Sequence, residues 1–199
     1  MTTQIILATR NKHKLQEFRD MLRDLDVEIL SCDAFAGCPD VKEDGATFAD
    51  NALKKARAIA RHTGHTTIAD DSGLEVDALG GLPGLYSARF AGEPADDRRN
   101  NEKLLAELAR VPDEKRGAQF TCVIAIVDGR GREKTVEGIY RGVIIRTLKG
   151  MQGFGYDPLF MDTQSGLTFA EMDAGCKNII SHRGLAIREL KKILPEFIA

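Results

Sequence analysis

Asp128-Gly129-Arg130-Gly131-Arg132 separates two long runs of strand character, 118–128 and 133–146. The first carries Phe120-Thr121-Cys122-Val123-Ile124-Ala125-Ile126-Val127, a β-branched and apolar stretch. Two such runs joined by a short, Gly-bearing connection predict a long β-hairpin. Elsewhere strand candidates at 4–8, 27–31, 66–70 and 74–78 are interleaved with helix candidates at 12–25, 47–63, 97–110 and 178–194. The class is therefore α/β, with a mixed rather than purely parallel sheet. The hairpin also argues against a phosphate-receiver fold, which Asp70-Asp71 would otherwise suggest, because that fold alternates βα units throughout. No internal repeat, low-complexity tract or linker interrupts the chain. Its 199 residues suit one domain, 1–199, or two lobes around one cleft.

Composition narrows the function. Lys and Arg number 28 against 30 Asp and Glu, a formal charge of −2, so the chain has no basic field for nucleic acid. Any polyphosphate must be held by local basic residues. The 43% hydrophobic content supplies a core, yet no apolar run approaches a membrane span. The N-terminus lacks a signal-peptide pattern, and a cytoplasmic protein is expected. Cys32, Cys38, Cys122 and Cys176 are scattered without a C-x-x-C pair, so reduced thiols are expected and zinc is not.

Four segments carry chemistry. Ile68-Ala69-Asp70-Asp71-Ser72-Gly73 sets two carboxylates where an apolar strand gives way to a Ser-Gly turn. At the end of a buried strand such a pair costs several kcal/mol unless a cation or hydrogen bonds meet it. Mg²⁺ suits hard carboxylate oxygens beside phosphates. The plainer reading is a solvated turn. Gln4-Ile5-Ile6-Leu7-Ala8 is a short buried strand, followed by Thr9-Arg10-Asn11-Lys12-His13-Lys14 and a helix with Leu15, Phe18, Leu22 and Leu25 near helical spacing. A strand, a polar turn and a helix start together make an anion site. Thr9 and Asn11 offer hydrogen bonds and Lys14 a full charge, although the glycines of a Walker loop are missing.

Phe154-Gly155-Tyr156-Asp157-Pro158-Leu159-Phe160, preceded by Gly150 and Gly153, reads as a tight loop whose aromatics can stack on a base or fill a core. Ser181-His182-Arg183-Gly184 precedes an apolar-periodic helix, with Ser181 as its cap and donors at its start. On the helix 47–63, Asn51 and Lys55 stand four residues apart and share a face. Asp44 or Thr47 caps that helix, and Glu43 lies in the loop before it. Arg89 is read as structural.

Together these segments resemble one family: the pyrophosphatases of non-standard purine nucleoside triphosphates, the inosine and xanthosine triphosphatases. The resemblance rests on T-x-N-x-x-K at Thr9 to Lys14, G-A-T-F-x-x-N-A-x-x-K-A at Gly45 to Ala56, and A-D-D-S-G-L-E-V-D-A-L at Ala69 to Leu79. It continues with G-x-P-G-x-Y-S-A-R at Gly81 to Arg89, F-G-Y-D-P-L-F at Phe154 to Phe160, and K-N-x-I-S-H-R-G at Lys177 to Gly184. It spans residues 4 to 194 with the motifs in the family's order. Arg10 departs from it, where members often carry Gly or Ser, and so does Gly175-Cys176, where acidic residues are common.

The resemblance implies an elongated central mixed sheet flanked by helices, two lobes around a nucleotide cleft, and a homodimer. It implies hydrolysis of ITP, dITP or XTP between the α- and β-phosphates, with Mg²⁺. Asp71 matches the catalytic base and metal partner, Lys55 a lysine beside the phosphates, and Glu43 a metal-side glutamate, and Asp70 is expected to complete the metal-binding acidic set. Asn51 joins the substrate-binding set and Ser72 matches a substrate contact. The phosphate-loop role falls on Thr9, Arg10, Asn11, Lys12, His13 and Lys14. The nucleoside role falls on Phe154, Gly155, Tyr156, Asp157, Lys177, His182 and Arg183. Donors on Lys177, His182 and Arg183 suit the 6-oxo group of hypoxanthine and xanthine and would be left unpaired against adenine. Rival readings are a pyrophosphatase for modified pyrimidine or methylated guanosine nucleotides, which a base screen separates, and a nucleotide sensor without turnover.

Overall fold

The turn over Asp128–Arg132 is built as its sequence predicts. In the computed structural model of the protein, which describes residues 2–198, β4 (Gly117–Val127) and β5 (Glu133–Ile144) are neighbours in one sheet. Asp128 closes the turn between them: its Oδ1 accepts the N–H of Arg130 and of Arg132, each at 2.9 Å. The other strands are β1 (Thr3–Leu7), β2 (Val27–Ser31), β3 (Thr67–Val76) and β6 (Phe160–Met161), in the order β2-β1-β3-β4-β5-β6. β1 runs parallel to β2 and β3, whereas β5 and β6 are antiparallel, so the six-stranded sheet is mixed.

Helices α1 (Lys12–Leu22), α2 (Phe48–Thr63), α3 (Asp97–Glu107), α4 (Ala174–Ile180), α5 (His182–Ile193) and α6 (Pro195–Ile198) complete the fold. No helix among the described residues is long and apolar enough to cross a membrane.

Two local expectations are corrected. β3 does not end at the Asp-Asp pair but continues through Ser72-Gly73 to Val76. Its carboxylates are met by cations from three helices, as shown below, so the strand tolerates them in its interior. The helix expected over 178–194 is two helices, broken at Ser181, whose extended backbone (φ −64°, ψ 158°) ends α4.

The chain forms two compact units. The first runs up to Asp71, takes in Cys122–Gly138, and resumes at Arg183. Its core lies on both faces of the sheet. Ile5, Leu7, Ile68 and Ile124 pack with Phe18 and Leu22 of α1 and Ala186, Ile187 and Leu190 of α5. Ile6, Ala8, Ala69, Val123 and Ala125 pack with Ala52, Ala56 and Ile59 of α2. Strand periodicity of two sorts these side chains onto opposite faces. The second unit comprises Ser72–Thr121 and Ile139–His182. Its core gathers Leu74, Val76, Phe120, Phe160 and Phe169 around Leu104 and Leu108 from α3 and the residue following it.

Candidate active site

The alternation that sorts the first unit's core also sorts its two carboxylates. Asp70 shares the parity of Ile68 and faces α1 and α5; Asp71 shares the parity of Ala69 and faces α2. Asp70 is 1% exposed. Its Oδ2 receives Lys14 Nζ at 2.9 Å and Arg183 Nη2 at 3.0 Å. Burial alone would raise the Asp70 pKa, but Lys14, Arg183 and Lys55 overcome it and hold the carboxyl well below the usual range. Arg183 in turn gives Nη1 to Glu17 of α1 at 2.7 Å. Burial opposes the charge of Arg183, and the carboxylates of Glu17 and Asp70 hold its pKa above the ordinary value.

On the other face, α2 brings Asn51 and Lys55 to Asp71. Thr47 caps this helix by accepting the N–H of Asp50 at 3.1 Å. The buried Asn51 bridges two parts of the site. Its Nδ2 donates to Asp71 Oδ2 at 3.0 Å, and its Oδ1 accepts the N–H of Gly45 at 2.8 Å. The loop before α2 is thereby tied to the strand, which brings Glu43 in. Lys55 Nζ lies 3.2 Å from Glu43 Oε1 and 3.7 Å from Asp71 Oδ1, and donates to the Asp70 carbonyl oxygen at 2.6 Å. Burial pushes the Lys55 pKa down, yet Asp71, Asp70 and Glu43 leave it above its ordinary value. Asp71 shifts the other way: burial pushes its pKa up, Lys55 draws it down, and Glu43 adds to the rise, leaving it above the ordinary value.

Among the described residues no three His, Cys, Asp or Glu side chains form a metal-holding group. What converges on Lys55 is a pair, Glu43 and Asp71; the Asp70 carboxylate is turned to Lys14 and Arg183. The pair fits Mg²⁺. It offers hard oxygens from two carboxylates, one raising the pKa of the other, and Mg²⁺ is commonly held by one or two carboxylates plus substrate phosphates and water.

The phosphate-loop residues divide. Asn11 is the N-cap of α1, its Oδ1 accepting the N–H of His13 at 2.9 Å and of Lys14 at 3.3 Å. Those two backbone donors are therefore spent on the cap, which leaves the Lys14 ammonium as the charged element of this segment nearest the Asp-Asp pair. The hydroxyl oxygen of Thr9 accepts the Asn11 N–H at 3.1 Å. Lys12 and His13 are exposed. Arg10 points to Asp33 (3.3 Å) and Asp40 (3.0 Å).

The other predicted site residues, apart from Arg183, belong to the second unit. Lys177 and Asp157 form a buried pair at 2.7 Å. Asp157 Oδ2 also accepts the Phe154 N–H at 2.9 Å, and Lys177 Nζ stands 5.1 Å from the Phe154 ring centroid. Gly153 sits at φ +74°, and a Cβ there would run into the Asp157 carboxylate, so only glycine fits. Tyr156 is buried and donates its hydroxyl to the Ser87 carbonyl at 2.8 Å; burial pushes its pKa well up. It is a core residue, which leaves Phe154 as the half-buried aromatic of the loop. His182 stacks on Phe120, with centroids 4.6 Å apart. Ser72 is half-buried on β3. Glu17 went unpredicted: its partner Arg183 is 166 residues away, and a lone acidic residue within a helix gives no local signal.

The family model that describes the Ham1 family matches residues 5–193. The chain belongs to the Ham1 family. Among curated relatives, a protein of Desulforamulus reducens described as a dITP/XTP pyrophosphatase is 54% identical over 191 residues, covering 96% of this chain and 95% of the relative. One from Geobacter sulfurreducens with the same description is 50% identical, covering 95% of each. The solved HAM1 protein of Coxiella burnetii superposes with a TM-score of 0.89 at 41% identity, covering 98% of this chain and 99% of that one. The Ham1 protein of Staphylococcus aureus gives 0.87 at 39%, with the same coverage.

Proposed function

We propose that this chain is a Mg²⁺-dependent pyrophosphatase that converts dITP, ITP and XTP to the nucleoside monophosphate and pyrophosphate. The observation that carries this reading is the convergence of Glu43 and Asp71 on Lys55, in a chain about half identical to relatives described as dITP/XTP pyrophosphatases. Glu43 and Asp71 would hold Mg²⁺, which when bound would supply neutralisation of the charge on the phosphate oxygens.

The chain's own groups do the rest. Asn51 fixes Asp71 Oδ2, and the carboxylate so oriented serves as the general base. Asp71 orients a water and takes its proton as the water oxygen bonds to the α-phosphorus. The bond from that phosphorus to the bridging oxygen breaks, and pyrophosphate leaves with the electron pair. Lys55 and Lys14 stabilise the charge that develops on the phosphates. Glu17 and Asp70 keep Arg183 charged and ordered, and Asp70 holds the Lys14 ammonium in place. The base is assigned to the second unit, with Phe154 stacking and Lys177 and His182 as donors. The family resemblance implies a homodimer, and sedimentation reads it as twice the chain mass.

The test is pyrophosphate release from ITP, dITP, XTP, GTP and ATP with and without Mg²⁺. Expected is turnover that needs Mg²⁺ and a kcat/KM for ITP at least about 10²-fold above that for ATP. ATP turnover within threefold of ITP contradicts the assignment of 6-oxo recognition. Tight nucleotide binding without pyrophosphate release contradicts the enzyme reading.

A further inference from the structure

Helix α3 makes two hydrogen bonds to one residue of the loop 153–157, Gly155, one to each of its peptide groups. Asp97 Oδ2 accepts the Gly155 N–H at 2.7 Å, and Asn101 Nδ2 donates to the Gly155 carbonyl at 2.8 Å. The same amide nitrogen donates to the Asp97 carbonyl at 2.8 Å. With carbonyl oxygens on both sides of that nitrogen, the Asn101 amide has only one satisfactory orientation. Its Oδ1 is buried and has no hydrogen-bond partner among the described residues. A leucine there would avoid burying an unpaired acceptor, so packing alone does not account for an amide. What the amide supplies is a donor aimed at Gly155.

The neighbouring Asn100 belongs to the same bracket. It donates to the Ala88 carbonyl at 2.9 Å and accepts the Ala91 N–H at 2.7 Å, which steadies the segment whose Ser87 carbonyl receives the Tyr156 hydroxyl. Gly155 itself sits at φ +63°, a conformation that L side chains rarely adopt, so the loop has no side chain of its own at this point with which to anchor itself. The anchor is supplied by α3.

We propose that Asp97 and Asn101 are positioning residues for base recognition: they fix the Gly155 peptide groups and, through them, the pose of the adjoining Phe154 ring. This rests on the reading of Phe154 as the base-stacking residue. Both side chains belong to the second unit, whereas the phosphate and metal groups belong to the first. Their loss therefore weakens binding of base-bearing substrates and spares the chemical step.

The test compares dITP with ribose 5-triphosphate, which lacks a base, in the wild type and in Asn101→Leu, Asp97→Ala and Asp97→Asn. For Asn101→Leu, KM for dITP is expected to rise about tenfold with kcat within twofold. Its kcat/KM for ribose 5-triphosphate is expected to match the wild type, and its melting temperature to stay within a few degrees. Asp97→Ala is expected to behave alike, and Asp97→Asn, whose amide oxygen still accepts from Gly155, to restore most of the affinity. An equal loss on both substrates overturns the proposal in favour of a structural role, as does an unchanged KM for dITP. A wild type that takes both substrates equally well overturns the base-loop reading and this proposal together. A wild type that discriminates, with an Asn101→Leu variant that still does, overturns this proposal alone.

Discussion

Asp71→Asn lowers kcat by roughly 10² or more, as loss of a general base and metal partner requires. The substitution is nearly isosteric, and its Oδ1 can still accept the Asn51 amide hydrogen that now reaches Asp71 at 3.0 Å. What disappears is the negative charge beside Lys55 and Glu43 and the capacity to take a proton from water. The fold survives because burial, with Glu43 adding to it, already weighs against the ionised form of Asp71, as its raised pKa records. Steady-state turnover of dITP under saturating Mg²⁺, with a thermal melt beside it, checks both halves. A variant keeping more than a third of wild-type turnover removes Asp71 from the chemistry.

Asp70→Asn has the opposite signature, a loss of stability before any loss of chemistry. Asp70 is the shared counter-charge of Lys14 and Arg183, and Arg183 is itself 2% exposed. Removing one partner of a buried ion pair typically costs about 3–5 kcal/mol, because the other charge is left uncompensated. At roughly 2–4 °C per kcal/mol for a chain of this size, the melting temperature falls by about 10 °C. Glu17 still faces Arg183, which places the cost toward the lower end of that range.

The pH dependence follows from the sign of the shift. The folded pKa of Asp70 is depressed, so its contribution is complete above the unfolded value of about 3.9 and is lost as pH falls below it toward the folded value. Urea unfolding should show the full gap between wild type and variant at pH 7 and a narrower gap at pH 3. A variant within about 1 kcal/mol of wild type at pH 7 removes Asp70 from its anchoring role.

Much of this architecture is legible in the chain. The Asp128–Arg132 turn announces the hairpin, and with it a mixed sheet. The four-residue spacing of Asn51 and Lys55 places both on the α2 face that meets Asp71. Local chemistry misleads at the Asp-Asp pair, where a Ser-Gly step reads as a turn. The groups that let the strand run on, Lys14, Lys55 and Arg183, come from α1, α2 and α5 and leave no trace beside it in sequence. Once the strand is known to continue, its period of two already separates Asp70 from Asp71. The acidic trio then resolves into an anchor for cations on one face and a pair with Glu43 on the other. Arg183 and Lys177 look like free donors at the level of motif. Each proves to be buried against carboxylates, Asp70 and Glu17 for one and Asp157 for the other. Such pairings link residues tens to more than a hundred positions apart, and only the fold brings them together.

The account's central claim is that Asp71 directs water at the α-phosphorus of a nucleoside triphosphate. Hydrolysis of dITP in ¹⁸O-labelled water, with the products separated and weighed by mass spectrometry, tests it most directly. The account predicts one ¹⁸O atom in dIMP and none in pyrophosphate. Label in the pyrophosphate, or inorganic phosphate as the first product, would contradict it.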